Sequence, residues 1–143
     1  MVTAESGGVS EGRRTARSPF GSFAIDPHEF VPGVHLRAVG GEQVLLCQVT
    51  YEPGRRVARH AHERTEQVMY IVSGEVTMTI GDETRTLSAG DTAVVNRGLE
   101  HELYSATGVT FMEALAPVPL DHVPDRARDL VLGPDGGAGH VDR

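Results

Sequence analysis

The stretch that decides the fold of this chain reads GRRVARHAHERTEQVMYIVSG at residues 54–74, followed by GDTAVVNRGLEH at residues 90–101. His60 and His62 are two positions apart, so on an extended strand, where side chains alternate between faces, both imidazoles point the same way. Two imidazoles on one face, a third donor a few residues later and a fourth far downstream are a common cage for a transition metal. The spacing therefore indicates metal-centred chemistry.

Short β-like runs follow one another from Gln43 to Leu120, each closed by Gly, Pro or Asp. Runs of this kind, repeating at intervals of about 8 to 12 residues, are typical of an all-β sandwich or barrel. Within the series we predict one strand over Gln67–Ser73 that ends at Gly74, and a separate strand over Val76–Ile80.

The length of 143 residues predicts one domain. Residues 1–18 have few apolar side chains and are expected to form a disordered tail. Residues 19–120 are expected to form the β-barrel domain, which starts with an arm that holds one edge strand. The Pro- and Gly-rich residues 121–143 predict a short helix or turn and a flexible, acidic tail.

The charge and composition exclude several classes of function. A formal net charge of −7 and a pI near 5.4 disfavour nucleic acid as a partner, because binding to phosphates needs clustered cations. The chain has one cysteine and neither a signal peptide nor a membrane span is evident, so we expect a cytoplasmic protein without a membrane partner. All thirteen basic residues are arginines, which excludes Schiff-base catalysis by a lysine.

The segment from Val68 to Val72 is apolar on both faces of its predicted strand. Such a strand must be covered twice, on one side by the barrel interior and on the other by a second sheet or subunit. We therefore expect a homodimer.

The two quoted segments resemble the two characteristic motifs of the cupin superfamily. The first has Gly54, five residues, His60-Ala61-His62, an acidic or amide donor and Gly74, and the second has Gly90, five residues, Asn96-Arg97-Gly98, two residues and His101. Cupins usually have proline where this chain has Asn96 and asparagine where it has Ser105. The resemblance covers about residues 34–117 and implies an all-β, jelly-roll-like cupin β-barrel with a short N-terminal arm and an acidic C-terminal tail.

The resemblance also implies a metal-ligand set. It assigns His60, His62 and His101 as ligands, with the fourth donor at Glu66 or Gln67. These two neighbours face opposite sides of a strand, so only one can reach the metal. The distance to the motif glycine in many cupins favours Gln67, as does a likeness to cupins with three histidines and a glutamine. The expected cofactor is one divalent transition metal, Fe, Zn, Mn or Ni.

Four further residues are candidates for binding or catalysis. Glu113 interrupts an apolar strand, and in uronate-converting cupins a carboxylate similarly placed on the last barrel strand is catalytic; a surface carboxylate on an edge strand is the alternative. Gln48 is either a donor that lines the cavity or an exposed residue. Arg37 is a candidate partner of a substrate carboxylate, or a surface arginine. Met69 is a candidate for the floor of the cavity.

The expected partner is a small-molecule substrate, and three functions are compatible with the site. The favoured one is a non-redox lyase, isomerase or cyclase in which the metal acts as a Lewis acid. Uronate-linearising cupins and polyketide-cyclase cupins are the nearest comparisons. The second is a dioxygenase that uses Fe, Ni or Mn with a chelating substrate. The third is a non-catalytic, ligand-binding or sensor cupin, since one fold hosts many functions.

Overall fold

The computed structural model describes residues 19–119, and the tails predicted over residues 1–18 and 121–143 lie outside this range. The described residues form nine strands and no helix, which confirms the all-β prediction. The strands are β1 (His28–Val31), β2 (Val34–Gly40), β3 (Leu45–Tyr51), β4 (Arg55–His60), β5 (Glu66–Ile80), β6 (Glu83–Ser88), β7 (Thr92–Val95), β8 (His101–Ser105) and β9 (Val109–Ala116).

The strands form two antiparallel layers. The larger sheet has the order β1-β2-β3-β9-β5-β7, and the smaller sheet has the order β6-β5-β8-β4. Strand β5 belongs to both layers, because its first half pairs with β9 and β7 and its second half with β6 and β8. This shared strand joins the two sheets into a nearly closed barrel of the jelly-roll type.

The prediction of two separate strands around Gly74 is wrong. The chain continues as one strand of fifteen residues from Glu66 to Ile80. The register against β9 shifts between Ile71 and Ser73, and Gly74 has a φ of 82°. A bulge together with a glycine at positive φ bends a strand without ending it, so β5 turns here from one sheet into the other.

The N-terminal arm contributes two strands rather than the single edge strand expected from the sequence. Strand β2 pairs with β3 along its whole length, from Val34 opposite Tyr51 to Gly40 opposite Leu45. Strand β1 then pairs with β2 at the end of the sheet. The arm is a full part of the larger sheet, because the outer edge of β3 offers backbone groups that need partners.

The core lies between the two sheets and contains inward-facing side chains of both. Those with the least exposure include Ile71, Phe111, Val76 and Leu103. The alternating pattern of burial on β3 and β9 follows the two-residue period of a strand. The open end of this core is where the candidate site lies.

No helix within residues 19–119 is long and apolar enough to span a lipid bilayer.

The outer face of β5 is exposed within the single chain. Val68, Tyr70 and Val72 are 44%, 52% and 46% exposed, while Met69 and Ile71 between them are buried. The barrel interior therefore covers the inner face of this strand, as expected. No segment within residues 19–119 covers its outer face.

Candidate metal centre

His60 and His62 come together in a different way from the one expected. Strand β4 ends at His60, so His62 lies in the following loop and not on the same strand face. The backbone N–H of Gly98 donates a hydrogen bond of 2.7 Å to the carbonyl oxygen of His62. This bond ties the loop to the turn of the second motif and brings the His62 ring to 5.0 Å from the His60 ring, measured between centroids.

His101 completes a cluster of three histidines because of the strand register. It is the first residue of β8 and the direct cross-strand partner of His60. Its ring lies 4.2 Å from the His60 ring and 5.1 Å from the His62 ring. One ring nitrogen of each histidine lies within 4.8 Å of those of the other two. Residues 41 positions apart in the chain thus converge on one point.

Two backbone carbonyls set the orientation of the rings. The Nδ1 of His60 donates to the carbonyl oxygen of Ala58 at 2.6 Å, and the Nδ1 of His101 donates to that of Leu99 at 3.1 Å. A carbonyl oxygen can only accept, so Nδ1 carries the proton in both rings. The lone pair of each neutral ring is then on Nε2, the arrangement usual for metal-binding histidines.

Burial favours the neutral form of these rings. Loss of hydration lowers the pKa of His60 below its ordinary value. For His101, burial and the nearby His60 lower the pKa to about 4. A neutral imidazole is the form that binds a metal, so the site keeps its nitrogens available for a cation down to mildly acidic pH.

Gln67, and not Glu66, faces the histidines. Gln67 is 3% exposed and lines the same cavity as His60 and His101, while Glu66 is on the exposed face of β5. The Nε2 of Gln67 donates a hydrogen bond of 2.6 Å to the Oε1 of Glu113. In this bond the amide nitrogen is the donor, and the amide oxygen is left for another partner.

The residues fit a divalent metal. The Oε1 of Gln67 and the Nε2 of His101 are buried and have no hydrogen-bond partner, and a buried acceptor without a partner is costly unless a ligand occupies it. Together with the other two histidines they supply three nitrogens and one oxygen. Three imidazoles and a neutral oxygen suit Zn, Fe, Mn or Ni, so the donor set agrees with the cofactor expected from the sequence.

Glu113 is a buried carboxyl group beside this donor set. It is 5% exposed and lines the cavity. Burial raises its pKa to about 7, and the hydrogen bond from Gln67 opposes that rise. Cys47 and Tyr51 are also buried near Glu113, and burial, followed by the charge of Glu113, raises the pKa of both. Glu113 is thus the group here whose proton can leave or return near neutral pH.

The cavity is small and mostly apolar. Its volume is about 20 Å³, which is room for about one water molecule. Its polar lining residues are His60, Gln67, His101 and Glu113, and its other lining residues are Phe30, Val34, Leu36, Val49, Tyr51, Val57, Leu103 and Phe111. The second group was not identified from the sequence, although the alternation along β2 and β3 places Leu36 and Val49 on the inner face.

The structure does not bring Arg37 and Gln48 to the cavity. Both lie on the outer face of the larger sheet, where an Arg37 guanidinium nitrogen donates to the Oε1 of Gln48 at 3.3 Å. Arg37 also donates to the carbonyl oxygen of Ile25. The alternation of β3 directs Cys47 and Val49 inward and Gln48 outward, so the expectation that Gln48 or Arg37 contacts substrate in the barrel is corrected.

Met69 faces inward, as expected, but lies behind the cavity. It is 1% exposed and is the cross-strand partner of Glu113. It is a member of the hydrophobic core and does not line the cavity within the described part of the chain. It packs in the core beside Glu113, on the neighbouring strand.

Comparison with protein families gives one assignment that covers both motifs. A family profile described as the cupin domain matches residues 47–116. This range includes all four candidate ligands and Glu113. A comparison with curated proteins returned no match.

Several solved structures share the fold. KdgF from Halomonas sp. is 26% identical, with a TM-score of 0.65, over 71% of this chain and 98% of that one. An RmlC-like cupin from Shewanella frigidimarina is 22% identical, with a TM-score of 0.69, over 75% and 97% of the two chains. A predicted oxalate decarboxylase from Thermotoga maritima is 20% identical, with a TM-score of 0.58, over 66% and 95%. These likenesses extend over nearly the full length of each neighbour.

Proposed function

Because this chain belongs to the cupin superfamily, we propose that it is a metal-dependent enzyme that converts a small molecule by non-redox chemistry, as a lyase, isomerase or cyclase. The observation that carries this proposal is the cluster of three histidines, two of which line one cavity together with the Gln67 amide and a buried carboxyl group. Neutral donors favour strong polarisation of a substrate oxygen, and the carboxyl group beside them can transfer a proton.

Three histidines and Gln67 would hold the cation. The nitrogens of His60, His62 and His101 and the Oε1 of Gln67 carry no formal charge in this set. A divalent metal bound there would supply Lewis acidity toward a carbonyl or hydroxyl oxygen. The apolar walls around the set keep bulk water out, which strengthens electrostatic interactions inside.

Glu113 would move the proton. Its Oε1 accepts the hydrogen bond from Gln67, which leaves Oε2 as the atom that can take a proton from a substrate carbon or hydroxyl and return it. In the metal-free protein burial raises its pKa to about 7, and a bound cation would lower it. A carboxyl group held between these two effects can transfer a proton reversibly. The same hydrogen bond holds the carboxyl group and the amide in a fixed relation.

The metal requirement can be tested without knowing the substrate. Protein purified without a histidine tag should contain, or bind after chelation and reloading, one equivalent of divalent metal by elemental analysis and calorimetry. The double variant His60→Ala, His62→Ala should lose that equivalent. His35→Ala is the matched control, because His35 pairs with Glu52 on the surface and its loss should leave the stoichiometry unchanged. Stoichiometric metal in the double variant would refute the ligand assignment.

The proton-transfer role can be tested with small enolisable ketones such as hydroxyacetone. The metal-loaded protein in deuterium oxide should accelerate exchange of the α-protons, measured by NMR. Glu113→Gln should reduce the rate by about 100-fold or more and retain the metal. Equal rates for the variant and the wild type would remove Glu113 from the mechanism.

The non-redox part of the proposal has its own test. Protein loaded with Fe(II) under anaerobic conditions is mixed with candidate catechols, flavonols or thiols, and oxygen consumption is followed with an electrode. No turnover-linked oxygen uptake is expected. Uptake in proportion to the substrate consumed would assign the site to dioxygen chemistry, which three histidines and one further donor also support.

A further inference from the structure

The walls of the cavity are mostly apolar. Phe30, Val34 and Leu36 come from the N-terminal hairpin, and Val49 and Phe111 from the two strands beside it, all 5% exposed or less. The polar lining residues are His60, His101, Gln67 and Glu113, together with Tyr51. Outside the candidate ligands and Glu113, the cavity therefore offers van der Waals contacts and the single hydroxyl group of Tyr51.

No positively charged side chain lines this cavity within residues 19–119. The chain has no lysine, and the nearest arginines in the sheets are engaged outside. Arg37 bonds to Gln48 and Ile25 on the outer face, and Arg59 pairs with Glu100 on the surface. Apart from the proposed metal, a carboxylate on the substrate would find no cationic partner in the cavity, and it would lie near the carboxyl group of Glu113.

Hydrogen-bonding capacity decides which ligands such a cavity accepts. A sugar acid carries several hydroxyl groups and a carboxylate. The metal can bind one chelating group, but each further hydroxyl buried without a partner costs about 1 to 3 kcal/mol. An apolar body has no hydrogen bonds to lose, and its burial favours binding by about 25 cal/mol for each Å² of surface removed from water.

We propose, on the premise of the proposed function, that the substrate of this site is a small neutral molecule with a chelating oxygen head and an apolar body, such as an enolisable or phenolic ketone, and not a sugar acid. The head occupies the end formed by the histidines and Gln67. The body lies against the walls formed by Leu36, Val49 and Phe111.

The present volume of about 20 Å³ has room for about one water molecule, so part of the wall moves when the substrate enters. Phe30 is the side chain placed to do so. It belongs to β1, a strand of four residues at the end of the sheet that pairs on one side with β2. An edge strand this short is held by few hydrogen bonds, so its displacement disturbs the barrel least.

Three hydroxamic acids with one head and different bodies test the proposal. Acetohydroxamic, benzohydroxamic and gluconohydroxamic acid are titrated into the Zn²⁺-loaded protein, and D-galacturonate serves as a uronate probe, with affinities from calorimetry. Benzohydroxamic acid should bind at least 10-fold more tightly than acetohydroxamic acid, and gluconohydroxamic acid more weakly than both. Galacturonate should not compete. Tightest binding by gluconohydroxamic acid or galacturonate would overturn the proposal.

A pair of valine variants assigns the preference to the cavity wall. Val49→Thr places a hydroxyl on the wall, and it should reduce the benzo-to-aceto affinity ratio by about threefold or more. Val39→Thr makes the same change on the exposed outer face of the neighbouring strand, since Val39 is 48% exposed, and it should leave the ratio unchanged. Equal ratios in all three proteins, with intact thermal transitions, would mean that the wall does not select the ligand.

The two levels of the hypothesis fail in different ways. If the protein binds no Zn²⁺, the proposed metal-dependent function fails before any hydroxamate is added. If Zn²⁺ binds with one-to-one stoichiometry and the hydroxamic acids bind more tightly as their bodies become more polar, the metal site is supported. The proposed substrate class is then wrong.

Discussion

Gln67 and Glu113 form the pair on which the proposed chemistry depends. Their hydrogen bond of 2.6 Å uses the amide nitrogen, and the buried amide oxygen has no hydrogen-bond partner in the described part of the chain. The same bond holds the carboxyl group in a fixed position and partly offsets the rise in its pKa. In the proposed function, this one bond would orient a ligand and hold the proton-transfer group.

Replacement of Gln67 by alanine should weaken metal binding by about 10- to 100-fold or more, because even residues that only orient the ligands typically contribute that much to affinity. Glu66→Ala is the matched control, since it removes the adjacent side chain from the exposed face of the same strand. Competition with a chromophoric chelator measures both. A loss of metal affinity in Glu66→Ala alone would identify Glu66, and not Gln67, as the fourth ligand.

The stability of the metal-free protein should depend on the protonation of Glu113. Its pKa is about 7 in the folded protein, against an ordinary value of 4.5, so the folded state retains a proton that the unfolded state releases. The free energy of unfolding therefore falls as the pH rises from 4.5 to 7, by up to about 3 kcal/mol from this group. Glu113→Gln should remove that fall.

The comparison must be made between variant and wild type at each pH, by urea denaturation. His101 acts in the opposite direction, because its lowered pKa of about 4 makes stability rise with pH up to about 6.5. That contribution is present in both proteins and cancels in the difference. A stability difference that stays constant between pH 5 and 7.5 would contradict a protonated, buried Glu113.

At the scale of the secondary-structure elements, the bend in β5 is the critical feature. Gly74 has a φ of 82°, and a Cβ atom added there would collide with the carbonyl oxygen of Gly108. The position must therefore remain glycine for two reasons, conformation and close approach of the β8–β9 turn. The bend lets one strand serve both sheets and brings Gln67 near residues of the second motif.

Gly74→Ala should destabilise the protein by roughly 3 kcal/mol or more, from a left-handed conformation that costs about 1 to 2 kcal/mol and a backbone clash in addition. Gly90→Ala is the control that separates the cost of the backbone conformation from the cost of the clash. Gly90 also has a positive φ, of 94°, but a Cβ atom added there would meet no other atom within 4 Å. It should cost about 1 to 2 kcal/mol. Denaturant midpoints measure both, and equal losses would exclude a role for the Gly108 contact.

At the scale of the whole molecule, the outer face of the larger sheet remains to be explained. One row of cross-strand partners runs over five neighbouring strands and contains no charged residue: Val39, Leu46, Ala114, Val68 and Val94. Tyr70 and Val72 extend it, and the exposed members are 40% to 52% accessible. Five strands spaced by about 4.8 Å make this apolar surface about 20 Å wide.

We propose that a second copy of this chain covers that face. An apolar row about 20 Å wide that crosses five strands without a charge is the kind of surface that marks protein–protein contacts, and one partner of a stable dimer buries roughly 800 Å². A two-fold pair also needs no second kind of surface, because the same patch meets itself.

Light scattering coupled to gel filtration should give the mass of a dimer, twice the 15.3 kDa of the chain. Val68→Glu should give a monomer, because an unpaired carboxylate would be buried at the centre of the interface. Thr86→Glu adds the same charge to an exposed position on the smaller sheet and should leave the dimer intact. A monomeric wild-type protein would contradict the proposed dimer.

The sequence by itself determined the all-β class, the cupin resemblance and the three clustered histidines, because strand period, turn residues and motif spacing are local properties. It did not reveal the continuity of β5, since a glycine that bends a strand and one that ends it look alike. The positions of Arg37 and Gln48 required the structure as well. A shift of one residue in strand register exchanges the inner and outer faces of a strand. The sequence alone does not show which of the two registers the strand adopts.

Only the tertiary structure decided what surrounds the metal-binding residues. The register of β4 against β8 sets His60 opposite His101, and the pairing of β5 with β9 brings Gln67 within reach of Glu113. These residues are 41 and 46 positions apart. Contacts over such separations depend on how strands pair, and pairing is settled by the burial of the whole barrel rather than by any local segment.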